Sequence, residues 1–295
     1  MSWEYRVAMA VAAIESVVGP RGQWPGWVVL ENAVEESSRD MAPPLTALGM
    51  LCLDGVPGAQ SVLNRSRQHL ELTVLPGGVW RYYANIPWDS DDTAMCALAL
   101  GADDPIVADT RMSLAAARTA SGRFLTWPSW PPDQQGVDAV ANAHVVAVLG
   151  ATPDTADAVD WLAGLVAQEA EVANCSYYLD PLDLRMAVAR AVAAGVGGLR
   201  PALVLAGRRA VARLADTTSA YRLAQAVVVA LASGIPASQL GDAGQRLADL
   251  QDPDGFWAAE TLFYAVSRRE FGGRALYTSQ AVTTALCAKA LVQLS

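Results

Sequence analysis

Apolar residues recur at three- and four-residue spacing along almost the whole chain, and this helical period leaves little room for any other architecture. Tyr5 to Val18 carries it first and stops at Gly19-Pro20. Pro43-Pro44 opens a second apolar helix, Leu45 to Leu53, ended by Asp54-Gly55. Ala59 to Leu72 is more polar, with Arg65, Arg67, His69 and Glu71 on its wet side, so His69 is expected in solvent. From there a unit repeats: a Gly/Pro turn, an aromatic residue, a short loop, then an Ala-rich apolar helix. Gly77-Gly78-Val79-Trp80 and Tyr82-Tyr83 lead to Ala94–Leu100, and Phe124, Trp127 and Trp130 lead to Val137–Leu149. Tyr177-Tyr178 leads to Leu184–Ala194. Gly255-Phe256-Trp257, followed by Phe263-Tyr264 and Tyr277, leads to Ala281–Leu294. Thr217–Ala232 is the same kind of helix without an aromatic loop, with Asp216 in position to cap it.

The units stand roughly 35–55 residues apart, the size of one helical hairpin in repeat architectures. Six hairpins account for the 295 residues. Alternating inner and outer helices that close on themselves make an all-α (α/α)6 barrel, here one domain over residues 1–295. Left open, the same hairpins make an α-solenoid whose aromatic residues are packing plugs. In the barrel the starts of the inner helices and the loops before them surround one cavity.

A formal charge of −9 argues against a general nucleic-acid surface. Arg is plentiful while Lys289 is the only lysine, which reads as a GC-rich bacterial coding bias. Cys52, Cys96, Cys175 and Cys287 are scattered, and with two histidines to help they support neither disulfides nor a structural zinc. No run reaches the roughly 18–20 apolar residues needed to span a bilayer, and the start of the chain lacks a basic leader. The default expectation is a soluble cytoplasmic protein, with peripheral membrane contact left open.

The chemistry concentrates in Pro87-Trp88-Asp89-Ser90-Asp91-Asp92-Thr93-Ala94, where three carboxylates precede an apolar helix that ends at Gly101. A capping Asp is ordinary, and its gain from the helix dipole is only about 0.3–1 kcal/mol. Burial and like-charge crowding can raise a carboxylate pKa by up to roughly 3–5 units. In an apolar cavity the second effect wins, and one carboxyl keeps a proton that it can give to a weak base.

Asp89-Ser90-Asp91-Asp92-Thr93-Ala94 resembles the Asp-x-Asp-Asp-Thr-Ala signature of class II terpene cyclases, such as squalene–hopene cyclases and bacterial copalyl diphosphate synthases. The resemblance implies that Asp91 protonates a terminal alkene or epoxide, with Asp89 and Asp92 tuning it, and that the polyene closes into rings through carbocations. Gln251-Asp252-Pro253-Asp254-Gly255-Phe256-Trp257 fits the Gln-x-x-x-Gly-x-Trp repeat that ties helices together in squalene cyclases, and Arg21-Gly22-Gln23-Trp24 and Gly77 to Trp80 are partial copies. His144, within Asn142-Ala143-His144-Val145, matches a histidine that hydrogen-bonds the catalytic Asp in that family; alone it reads equally as a satisfied core residue. Trp80, Trp88, Trp127, Tyr177, Tyr178 and Trp257 together could cage a carbocation, each ring face contributing up to about 2 kcal/mol when desolvated. Ordinary core packing must account for several of them.

No Asp-Asp-x-x-Asp sequence of the kind that ionises a diphosphate through magnesium is present, since Asp103-Asp104-Pro105 breaks off, and no residue set suggests a resident metal. No nucleophile elbow or Gly-rich phosphate loop occurs. The resemblance requires no cofactor, with magnesium relevant only to a diphosphate-bearing substrate. Class II cyclases of this kind normally join two barrels, and this chain has length for one, so either one barrel holds a shorter isoprenoid or a second subunit, as in a homodimer, closes the cavity. Arg268, Arg269 and Arg274 could meet a charged head group or form a solvated loop. The expectation is a cyclase of a prenyl diphosphate or prenylated small molecule. Its alternatives are a non-catalytic terpenoid-binding or interaction barrel and an acid-catalysed cyclase of a non-terpenoid substrate.

Overall fold

Side-chain caps set where the inner helices begin. Asp89, Asp138, Asp180, Ser219 and Ser279 each accept a hydrogen bond from an amide in the first turn that follows. The computed structural model describes residues 2–30, 38–266 and 274–295, and among these it has twelve α-helices. The inner ones are α2 (Pro43–Leu53), α4 (Ser90–Leu100), α6 (Ala139–Leu149), α8 (Pro181–Ala193), α10 (Ala220–Ala232) and α12 (Gln280–Leu294). The outer ones are α1 (Trp3–Val17), α3 (Gln60–Thr73), α5 (Pro105–Ala116), α7 (Ala156–Gln168), α9 (Arg200–Arg213) and α11 (Ala243–Asp249).

Composition sorts the two sets. Every residue of α6 except Leu149 is buried, as a helix apolar on all sides must be. In α3 only Val62, Ser66 and Leu70 are buried, a single stripe at four-residue spacing. Each inner helix packs on its two inner neighbours, and α12 packs back on α2, so the ring closes into the (α/α)6 barrel.

The Gly-x-aromatic turns fasten the ring to its outer layer. The backbone N–H groups of Trp24, Trp80 and Trp257 donate to Thr46, Thr93 and Thr284, near the starts of α2, α4 and α12. The indoles of Trp80 and Trp257 donate to the carbonyls of Leu70 and Leu247 on the preceding outer helices, at 3.0 and 2.7 Å. Phe124 takes the same place before α6, with its N–H donated to Asn142 at 2.8 Å. Gly78 has φ +66°, and a Cβ there would come within 2.6 Å of the Thr110 nitrogen, so the turn can press on α5 only without a side chain.

Two details differ from the sequence expectation. Ser219, not Asp216, caps α10; Asp216 is exposed, while the Ser219 hydroxyl sits where the Arg222 amide can reach it. His69 is half-buried instead of solvated, and burial lowers its pKa.

The residues read as an aromatic lead-in to the last helix form strands. β1 (Gly26–Leu30), β2 (Ser38–Asp40), β3 (Glu260–Val266) and β4 (Arg274–Ser279) make an antiparallel sheet in the order β2-β1-β4-β3. β3 is tied to the loop before α8 by the Tyr264 N–H, which donates to the Tyr177 carbonyl at 2.9 Å. No helix among the described residues is long and apolar enough to cross a membrane.

Candidate active site

Asp89 caps α4, so Asp91 and Asp92 fall in its first turn, where free amides favour negative charge. All three carboxylates are buried. Asp89 accepts the Asp92 amide at 2.8 Å, and burial pushes its carboxyl up to about 6. Asp91 is bound at both oxygens. His144, from the second turn of α6, brings Nδ1 to 2.7 Å from Oδ1, and Tyr178, from the loop before α8, donates its hydroxyl to Oδ2 at 2.5 Å. The Asp91 side chain keeps 12% of its surface accessible, against 2% for His144.

His144 and Tyr178 border a narrow hollow inside the ring, with about 320 Å³ of empty space when its open side is included. Leu48, Met95, Val140 and Met186 supply apolar wall from α2, α4, α6 and α8, and Leu262 of β3 adds to it. Met95 stands one turn beyond Asp91 on the same face of α4, and Asp91 reaches the hollow through His144 and Tyr178, the two lining residues bonded to its carboxyl.

The cavity also has polar wall that the sequence reading did not single out. Asp183 and Arg190 come from α8, and Tyr221 and Gln225 from α10. Asp183 accepts from Arg222 and from Gln225, the latter at 3.1 Å. A signal was available: spacings of i, i+3, i+7 and i, i+4 put these residues on one inward face of helices otherwise built from Ala, Val and Leu.

Asp138 was missed as well. It caps α6 through the amides of Val140 and Ala141, and its other oxygen takes the Ser176 amide at 2.5 Å, two residues before Tyr178. Burial and the neighbouring Asp91 charge push it up to about 7 against those hydrogen bonds. The carboxylate thus anchors the loop that carries the phenol on Asp91.

Not every aromatic residue expected around the cavity lies there. Trp80 and Trp257 are fully buried in the seam between inner and outer helices, and their indole N–H groups are spent on backbone carbonyls. They are packing plugs and not cavity wall. Trp127 stacks on Trp130 at 4.4 Å and donates to the Tyr177 hydroxyl at 2.6 Å, which pairs both residues at the loop edge. Trp88 is half-buried against the core. Only Tyr178 of the six borders the cavity. Beside it stands a cluster not anticipated as one: Phe263 contacts Tyr178, Tyr82 and Tyr277 with ring centroids 6.4, 5.8 and 4.9 Å apart. Arg274 is exposed and lies over the Tyr264 ring at 5.1 Å, while Arg268 and Arg269 lie outside the described residues. Among the described residues no group of three or more His, Cys, Asp or Glu side chains is disposed to hold a metal ion.

No protein-family model and no curated protein matches the sequence. Solved structures do. A protein from Actinoplanes superposes with a TM-score of 0.78 at 21% identity, over 99% of both chains. Type II terpene cyclase MstE from Scytonema superposes at 0.73 with 18% identity, over 98% of this chain and 97% of that one. A variant of the same cyclase holding geranylgeranyl dihydroxybenzoate, its substrate, gives 0.72 at 17% identity, over 99% and 97% of the two chains. That cyclase chain is therefore also of one-barrel length. At these identities the likeness is one of fold, and the fold is the class II terpene cyclase-like helical toroid.

Proposed function

We propose that this protein is a protonation-initiated terpene cyclase in which Asp91 is the general acid. The substrate would be an isoprenoid chain of farnesyl to geranylgeranyl size, carried as a diphosphate or attached to a small molecule. The observation that carries this reading is the Asp91 carboxyl, buried and bound at both oxygens by His144 and Tyr178, which themselves border a mostly apolar hollow. The shared fold with a cyclase that binds a geranylgeranylated dihydroxybenzoate supports it.

Each group has a task in such a reaction. An alkene is a very weak base, so the proton donor must sit where water cannot compete for the proton. The proton passes from Asp91 to the outer carbon of the terminal double bond, whose π pair forms the new C–H bond and leaves a tertiary cation. The next double bond attacks, closing a carbon–carbon bond and moving the charge inward. Loss of a neighbouring proton to water or to a base on the wall turns that C–H pair into an alkene and ends the sequence. Donation from His144 and Tyr178 stabilises the Asp91 carboxylate left behind. Asp89 and Asp138, both buried and both near Asp91, hold protons more readily than surface aspartates, which limits the negative charge beside the acid. The Tyr178 face offers cation–π stabilisation of up to about 2 kcal/mol. The proposal requires no cofactor; a magnesium ion would belong to a diphosphate head group.

The test is product analysis by mass spectrometry with a panel of prenyl diphosphates and prenylated aromatic acids, geranylgeranyl dihydroxybenzoate included. Wild type should yield cyclised isomers of substrate mass, and Asp91→Asn should lower turnover by about 10²–10⁴-fold while still folding and binding. A wild type that binds prenyl compounds yet converts none of them is instead a terpenoid-binding barrel.

A further inference from the structure

Arg190 is an awkward residue to find on the wall of a cavity meant for a carbocation. It stands on α8 two turns beyond Asp183, borders the cavity, and carries a fixed positive charge. Charge repulsion would hinder catalysis unless the guanidinium serves something else. Its Nη1 lies 3.3 Å from Nε2 of His144, whose Nδ1 is 2.7 Å from Asp91 Oδ1. The three side chains come from α4, α6 and α8, consecutive members of the inner ring.

A guanidinium has donors and no acceptor, so the contact at Nε2 requires a bare lone pair on that nitrogen. The imidazole proton then sits on Nδ1 and points at Asp91. This matters because a free imidazole is a stronger base than a carboxylate: ordinary values are about 6.5 and 3.9. Left alone, His144 would take the Asp91 proton, and a carboxylate paired to an imidazolium cannot protonate an alkene. Two features oppose that transfer here. Nδ1 already holds its proton, and a second on Nε2 would face the guanidinium head-on.

We infer that Arg190 is a positioning residue that locks His144 as the neutral Nδ1–H tautomer, so that the imidazole can donate to Asp91 but cannot disarm it. The inference rests on the reading of Asp91 as the acid. Asp183, whose carboxyl accepts from Arg222 and Gln225, and Tyr221 line the same cavity as the pair. Asp91 and the Tyr178 phenol stand on one side of the imidazole, and Arg190 stands on the other. Behind Arg190 are the Cys52 thiol and the Lys289 ammonium, whose Nζ donates to the Leu51 carbonyl at 3.0 Å.

The measurement is ¹⁵N NMR of the full chain labelled at histidine, with His69 as the internal comparison, recorded from pH 5 to 8 beside product formation. Wild-type His144 should give the Nδ1–H pattern. Arg190→Met should abolish that pattern's dominance over the Nε2–H form and should lower turnover by roughly 100-fold with substrate binding retained. Arg190→Lys, also a pure donor, should restore much of both and guards against an Arg190→Met chain that fails to fold. An Nε2–H pattern in wild type, or a His144 signal indifferent to Arg190→Met, overturns the inference even if the enzyme cyclises prenyl chains. A correct tautomer in a protein that converts no prenyl substrate leaves the lock standing and overturns the cyclase reading.

Discussion

Asp138 illustrates how one carboxylate can serve helix, loop and acid together, and its protonation has a measurable cost. Its folded pKa is raised from 3.8 to about 7, mainly by burial, and that of Asp89 to about 6. Between those values and the ordinary one the native state binds more protons than the unfolded chain, so stability is full below about pH 4 and declines as pH rises toward 7. For Asp138 the change amounts to at most about 4 kcal/mol. Urea midpoints measured from pH 4.5 to 7.5 should therefore fall for wild type and fall less for Asp138→Asn. Asp180, whose pKa is lowered with Arg213 on both its oxygens, acts in the opposite sense, and its contribution is lost only as pH drops below the ordinary carboxylate range. Asp89, Asp91 and Asp92 were legible because three carboxylates exceed what one cap needs, and His144 because no other histidine interrupts an apolar helix. Asp138 was not, because a lone Asp before an Ala/Val helix reads as a cap, which it is. Its bond to Ser176 bridges 38 residues and has no local sign.

Among the elements, the Gly-x-aromatic turn does the most with the fewest residues. Its place in the seam between inner and outer helices means that Trp80 substitutions should act on stability and not on substrate. Trp80→Phe keeps most of the packing but abandons the Leu70 carbonyl, a loss of about 1 kcal/mol. Trp80→Ala adds a cavity, and the total should reach about 3–5 kcal/mol. Denaturant titration reads both changes, and Trp80→Phe should retain the wild-type KM; a raised KM at unchanged stability would return Trp80 to the substrate site. The helices were legible from periodicity and stops, nearly to the residue at Leu53, Leu100 and Leu149. The strands were not. In Glu260–Val266 the run Leu262-Phe263-Tyr264 masks any alternation, and the partner that makes Arg274–Ser279 a strand, Gly26–Leu30, lies about 250 residues earlier. Pairing at that separation leaves no trace in a local window.

That long-range pairing is also how the whole molecule closes. α1 packs on α12 and α12 on α2, Gln251 donates to the Arg6 carbonyl at 3.0 Å, and β1 pairs with β4, so the first and last segments of the chain complete the ring together. A closed six-hairpin barrel was legible from unit count and length; the sheet laid across it, which puts Leu262 over the cavity, was not. The roof is held by the β3–β4 hairpin and by the Tyr264–Tyr177 backbone bond, and so the side chain at 262 can change without moving the wall that holds Asp91. A narrow hollow bordered by Leu262 of that sheet should limit chain length. Removing or adding a methylene's worth of apolar space typically changes discrimination by about 10–200-fold. Leu262→Ala should therefore shift the kcat/KM ratio of geranylgeranyl over farnesyl substrates upward by about tenfold, and Leu262→Phe should shift it downward, with product rings still formed in both. A ratio indifferent to both changes would mean that the chain threads past the sheet, and that the limit on its length lies deeper, among Met186, Arg190 and Tyr221.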